Sequence, residues 1–296
     1  MLGKKKLLSV VCLMTLTAPV MAGEGSFGWL YTLDLQPKGT LEFEQKIDLT
    51  KGQAAGTYNL WKTKTGLEYG VTNDFQLTGY LNGYSVNANH NYTNCGADPS
   101  PCTGGFGVPE SASGHAFNKT QFEGASVEGV WRVLNPVLSP VGVGLYAEMS
   151  KGKFADALET RLLMQSNFLD DRLVLAVNVI AEMEKYKFAG TTPSKESMID
   201  VLYGATYRFA PKWFAGIEGR FHNDFTGYNF DTHTQRANFI GPNLHYAEKD
   251  WWVTAAWRYQ IGGKCFGDGV GECSDGKVWD SHGKNQFIVK VGVPFK

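Results

Sequence analysis

Net charge, cysteine and long apolar runs are all scarce in this chain. Its 296 residues carry 28 Lys and Arg against 29 Asp and Glu, a formal net charge of −1. No basic field therefore exists to draw in nucleic acid. There are five cysteines, and their spacings fit no usual zinc-ligand pattern. After the first 22 residues no apolar run approaches the ~20 residues that a membrane helix needs. No Gly-x-Ser-x-Gly elbow, His-x-Ser-Asn-Gly lipase signature or phosphate-binding loop occurs, which removes the commonest hydrolase and nucleotide chemistries. No cofactor is implied, and the chain does not read as an enzyme.

What is present starts with export. Lys4, Lys5 and Lys6 precede an apolar stretch from Leu7 to Val20, and Val20-Met21-Ala22 supplies small-residue cleavage geometry. Residues 1–22 read as a secretory signal peptide cut near Ala22, too short to span a bilayer comfortably. An exported chain can keep disulfides. Cys95 with Cys102, and Cys265 with Cys273, are each close in sequence within Gly-, Pro- and Asp-rich stretches, so two local bridges are expected. Residues 23–39 form a periplasmic N-terminal segment, and Gly23 to Gln36 is a candidate plug that no spacing demands.

The rest, residues 40–296, breaks into twelve short segments of period-two alternation. They are centred on 40–49, 61–69, 75–82, 125–133, 141–149, 158–165, 173–184, 199–208, 213–222, 240–246, 251–260 and 286–295. In the first, Leu41, Phe43, Gln45, Ile47 and Leu49 share one face, and Glu42, Glu44, Lys46 and Asp48 the other. Across all twelve the apolar face holds no Asp, Glu, Lys or Arg. With about a fifth of residues charged, chance would put roughly ten on some sixty such slots. A soluble sandwich would break the pattern with protective charges on its edge strands. Exclusion this complete suits a surface in contact with hydrocarbon, where Lys or Arg at mid-depth costs about 2–4 kcal/mol.

Connections agree. Short turns follow the even segments, at 71–74, 135–140, 168–171, 210–212 and 247–250. Longer links follow the odd ones, at 51–56, 86–120, 150–155, 187–195, 223–235 and 262–283. Aromatics gather near the short-turn ends: Tyr69, Phe75, Trp131, Tyr207, Trp213, Tyr246, Trp251 and Phe295. The expected fold is all-β, a single up-and-down antiparallel transmembrane barrel of about twelve strands, with short periplasmic turns, long extracellular loops and interfacial aromatic girdles. Pro242 fits its segment least well, because proline removes a ladder donor. Outer-membrane lipid and, during biogenesis, the barrel-insertion machinery are the expected partners.

The opposite face assigns the lumen. Its acids include Glu42, Glu44, Glu68, Glu128, Glu148, Glu159, Glu182, Asp200 and Glu218; its bases include Lys62, Lys64, Arg132, Arg161, Arg208, Arg220, Arg258 and Lys290. Neither sign dominates, so no selectivity ring is evident. Two readings stand: a narrow channel for small polar solutes, or a closed structural or surface-interaction barrel filled by ion pairs. Twelve strands lie between side-chain-filled and open porin sizes, so geometry alone leaves both open. A hydrolase is a distant third. Its best constellation is His222, Asp224, Asp231 and His233 on one expected outer loop, which could equally hold a divalent metal. His90, His115 and His282 read as isolated, solvated loop residues.

Several stretches resemble a family of uncharacterised proteobacterial outer-membrane proteins. They are Gly23-Glu24-Gly25-Ser26-Phe27-Gly28-Trp29 through Gln36-Pro37-Lys38-Gly39, Glu42-Phe43-Glu44-Gln45, Glu68-Tyr69-Gly70-Val71-Thr72, Asn167 to Leu173, Tyr207 to Pro211, and Ile240 to Tyr246. The resemblance covers most of the chain after residue 22 and implies fold and outer-membrane location, with no activity to transfer. The last aromatic, Phe295, is followed by Lys296, a departure from the common terminal insertion signal.

Overall fold

A computed structural model describes residues 25–91, 104–187, 193–267, 273–279 and 282–295. The expected signal peptide and the expected Cys95–Cys102 bridge fall on residues outside the described ones.

Twelve antiparallel strands close into one barrel: β1 Leu41–Lys51, β2 Thr57–Thr72, β3 Phe75–Asn89, β4 Phe117–Leu134, β5 Gly142–Gly152, β6 Ala155–Phe168, β7 Leu173–Tyr186, β8 Ser194–Ala210, β9 Trp213–Thr226, β10 Thr232–Ala247, β11 Trp252–Cys265 and β14 Asn285–Pro294. Each strand pairs with its sequence neighbour, and β1 pairs with β14 to seal the cylinder (Ile47 opposite Val289). A small hairpin, β12 Cys273–Ser274 with β13 Lys277–Val278, sits in the loop before β14. Closure leaves the barrel no edge strand, which a protein surrounded by lipid requires.

The alternation sets which way each residue points. Leu67, Leu77, Leu81, Val127, Leu145, Leu162, Leu175, Val179, Ile217 and Val289 are exposed on the outer surface. Between them Glu42, Glu44, Glu68, Glu128, Glu218 and Thr254 are sealed from solvent. A soluble protein buries the first set and exposes the second. At the short-turn rim Tyr246 packs against Trp213 (4.6 Å) and Trp251 (5.4 Å), with Tyr69, Trp131 and Tyr207 exposed around the same edge.

Three expectations are corrected. The link at 150–155 shrinks to Lys153 and Phe154, because β5 and β6 pair out to Lys151 opposite Asp156. The expected loop 223–235 is mostly strand, since β9 runs to Thr226 and β10 starts at Thr232. Strands here exceed the ~10 residues a bilayer needs, so their outer ends stand clear of lipid and shed the apolar signature. In β4 a bulge between Asn82 and Gly83 of the partner ladder sets Phe122 and Ala125 on the same side of the wall. That bulge flips the inside–outside parity, so sequence pattern alone starts the strand at Ala125. Pro242 lies within β10. It registers with Ile217 of β9, while the β10–β11 ladder steps from Ile240–Tyr259 to Asn243–Ala256 and spares the missing donor.

Candidate functional site

The functional candidate is the lumen, and the N-terminal segment occupies it. From the short-turn rim, where Gly39 donates to the Gly70 carbonyl (2.7 Å), the chain climbs inward. It is caught by wall side chains in sequence: Gln36 N donates to Gln76 Oε1 (2.9 Å), Leu33 N to Gln165 Oε1 (2.6 Å), and Tyr31 N to Asn178 Oδ1 (2.8 Å). At the top of the arch Trp29 Nε1 donates to Asp48 (2.9 Å), and Arg258 lies 3.8 Å over the indole ring. Glu218 then accepts from Gly28 N and Trp29 N (2.8 and 3.0 Å). The descent ends where Thr254 donates to the Gly25 carbonyl (2.8 Å). Carboxylates and amides on strands thus satisfy backbone donors that have no ladder partner at these bonds.

Apolar anchors do the rest. Phe27 and Leu30 pack on Val174, Ala176, Ile180 and Leu202, and Leu33 and Leu35 pack on Val130, Tyr146 and Leu163. Those wall residues sit at inward positions, where a water-filled lumen has no use for them. This inner stripe on β4 and β6–β8 is the signal in the sequence that could have located the docked segment. Burial holds the Asp34 carboxyl above the ordinary carboxylate range, against hydrogen bonds from Thr32 and Gln165.

Small wall residues make room. A Cβ on Gly144 would stand 2.4 Å from Leu33 Cδ2. Valine there suits a strand, so Gly144→Val should leave the barrel folded and push the segment off the wall. The expected result is a heat-modifiable barrel on a gel, with a protease cut between residues 25 and 39 that the parent chain resists. Equal resistance in both would mean that Leu33 simply yields.

Above the arch the interior is a charge network. Tyr80 donates to Glu44 (2.6 Å), Lys46 to the Tyr31 and Tyr80 hydroxyls (2.8 and 2.9 Å), and Tyr31 to Glu128 (2.6 Å). Tyr146 donates to Glu148 (2.8 Å), which also takes Lys64 (2.5 Å), and Arg161 pairs with Glu159 (2.6 Å). A cavity of about 240 Å³ opens beside this network in the outer half, lined by Lys62, Lys64, Glu148, Glu159, Glu182 and Glu184 among others. Lys62 lies 4.4 Å over the Phe106 ring.

The remaining expected lumen residues are dispersed. Glu42 accepts from Trp252 Nε1 (2.9 Å), Glu68 accepts from Gln76, and Lys290 lies beside Gly25. Arg132 and Arg208 are at the short-turn rim, where Arg132 binds Asp74 (2.9 Å) and the Leu33 carbonyl (3.0 Å), and Arg208 reaches the Asp170 carbonyl. Arg258 donates to Gln286 (2.7 Å). Asp200 takes Arg220 (2.5 Å) and His222 (2.7 Å).

Two loops fold inward at the outer mouth. Val108 and Ala112 pack on Tyr58, Leu60, Tyr84, Val86, Ala88 and Phe154, and Val278 packs on Ala237 and Phe239. Gln53 ties them together, donating to the Trp279 carbonyl and accepting from Asn91 (both 2.5 Å). The expected Cys265–Cys273 disulfide is formed and staples the second loop.

The histidine expectations change most. His222 and Asp224 are on β9 facing inward, His222 fully buried, rather than on an outer loop. His233 is the second residue of β10 and stacks on Phe225 (4.8 Å), and Asp231 sits in the turn by Gly227. His282, expected to be solvated, is buried and reaches Asp224 (3.2 Å).

The fold is similar to that of solved outer-membrane barrels. An outer membrane channel from Pseudomonas putida F1 superposes with a TM-score of 0.55 at 8% identity, over 88% of this chain and 97% of that one. The NanC porin (TM-score 0.46, 10% identity, 86% and 98% covered) and the translocator domain of the autotransporter NalP from Neisseria meningitidis (0.46, 11%, 89% and 90%) are more distant. Among curated proteins none matches the sequence. Barrel, outward apolar belt and docked N-terminal segment are features of one continuous unit, and over residues 19–295 the chain belongs to DUF6662, a family of unknown function.

Proposed function

We propose that this protein is an outer-membrane channel for small polar solutes, held shut by its own N-terminal segment. The observation that carries the reading is how residues 25–36 are held. Single wall side chains, Glu218, Asn178, Gln165 and Gln76, each take one or two backbone donors. Such bonds can be exchanged for water one at a time, whereas a strand pairs as a unit. The charged cavity beyond the arch supports the same reading, because its lysines and glutamates give a polar solute partners of both signs.

A closed surface-interaction barrel is the second reading, favoured by the Gln53 link between the infolded loops. Purified full-length protein in planar bilayers separates the two. Stepwise current, brief and infrequent in the intact chain, is expected of the plugged channel. Silence from the intact chain and from a chain lacking residues 25–36 would remove the channel reading and leave the closed barrel.

A further inference from the structure

We propose that His222, Asp224 and His282 form a binding site for a divalent transition-metal ion of the zinc class, inside the outer half of the barrel. Asp224 Oδ2 lies 2.8 Å from His222 Nε2 and 3.2 Å from His282 Nε2. One ligand atom from each residue falls within 4.8 Å of the others. Around a tetrahedral ion at the usual 2.0–2.1 Å, ligand atoms stand about 3.3 Å apart, so the two Asp224 separations need change only by tenths of an ångström and the two imidazoles close on each other from within 4.8 Å. Hydrogen-bond distances join the groups, and the ion would take the place of protons on the two Nε2 atoms.

Chemistry narrows the ion. Two imidazoles and one carboxylate suit zinc, copper, nickel or cobalt, not magnesium or calcium, which favour oxygen. The support around the ligands is of the kind that metal sites carry. His222 Nδ1 faces Asp200 Oδ1 at 2.7 Å, which orients the ring and leaves Nε2 for the ion. Asp200 is itself held by Arg220, whose Nη2 is also 2.8 Å from His222 Nδ1. Gln235 donates to Asp224 Oδ2 (2.6 Å), and Gln286 donates to the His282 carbonyl (3.0 Å), fixing the loop residue where the ion needs it. His222 is fully buried and His282 nearly so. A surface histidine pair would instead be solvated. The ion would fasten the loop between β11 and β14 to the β9 wall.

The test uses tag-free, full-length protein folded in detergent, titrated with Zn²⁺ by calorimetry and with Co²⁺ by visible absorption. One Zn²⁺ per chain, stripped by chelator, and a Co²⁺ spectrum of four- or five-coordinate nitrogen and oxygen ligation are expected. His282→Ala and Asp224→Asn should each weaken binding at least about 100-fold, and Asp200→Asn about 10–100-fold, as outer-shell partners do. His233→Ala should leave it unchanged. Heat-modifiability on a gel confirms that each variant is folded. Absent stoichiometric Zn²⁺ binding, or unaltered affinity in folded His282→Ala, overturns the proposal, as does loss of the ion in His233→Ala. None of these readouts depends on whether the barrel conducts.

Discussion

Deleting residues 25–36 should raise the time-averaged conductance of the reconstituted barrel by about tenfold or more, since Phe27, Leu30, Leu33 and Leu35 of that segment pack on the inward faces of β4 to β8 and take up lumen space. The energetics make the deletion decisive and the native plug displaceable. Phe27, Leu30, Leu33 and Leu35 are buried, at roughly 1.5–3 kcal/mol each. Against this stands an ordering cost of about 1–2 kcal/mol for every residue laid down without a ladder. Over residues 25–36 the ordering cost is the larger, so the side-chain hydrogen bonds decide. Removing Glu218 in isolation, which frees the Gly28 and Trp29 donors, should act in the same direction with smaller effect. Equal, non-zero currents from the intact and shortened chains, measured at one salt concentration and voltage, would mean that the infolded outer loops limit the current and the segment is only filling.

How much of this was legible in the residues depends on which physical rule wrote it. The outward face was fully legible. Hydrocarbon admits no charge, so Leu41 to Leu49 on β1 and Phe287 to Val293 on β14 turn no charged residue outward, and every strand was located. Strand ends were less so. Past the lipid the rule lapses, and Lys151, Lys185 and Lys195 lie on paired strands that look like loop. Gly124 shows a second limit, because a bulge reverses parity and no composition cue marks it.

The interior was legible as charge but not as arrangement. Glu128 could be assigned inward from parity. That Tyr31 would donate to it across 97 positions depended on the N-terminal segment entering the cylinder. Val174, Ala176 and Ile180 carry the clue to it, an apolar inner stripe with no purpose in a wet lumen. His282 was illegible for a different reason. It meets Asp224 at a separation of 58 positions only because the barrel closes and the loop then folds inside it. Local pattern carries information about neighbours along a strand and none about a loop's choice of wall.

The outward belt offers the second large effect. Val179 is midway along β7, opposite Leu162 of β6 and Val201 of β8, with its side chain at the outer surface. Arg there must reach water past several residues of apolar wall, and Val179→Arg is expected to cost about 2–4 kcal/mol in lipid vesicles. The same change at Leu173, the first residue of β7 beside the short-turn rim, should cost only about 0–1 kcal/mol, because a short reach brings the guanidinium to the interface. Urea unfolding from vesicles, followed by the gel shift of the folded barrel, measures both. The depth dependence is the informative part. On a water-exposed strand both substitutions would fall within about 0.5 kcal/mol of zero, and the order of the two positions would carry no meaning. A flat response would therefore place this face in water, and the buried glutamates Glu42, Glu44 and Glu128 would then need another reason for being inside.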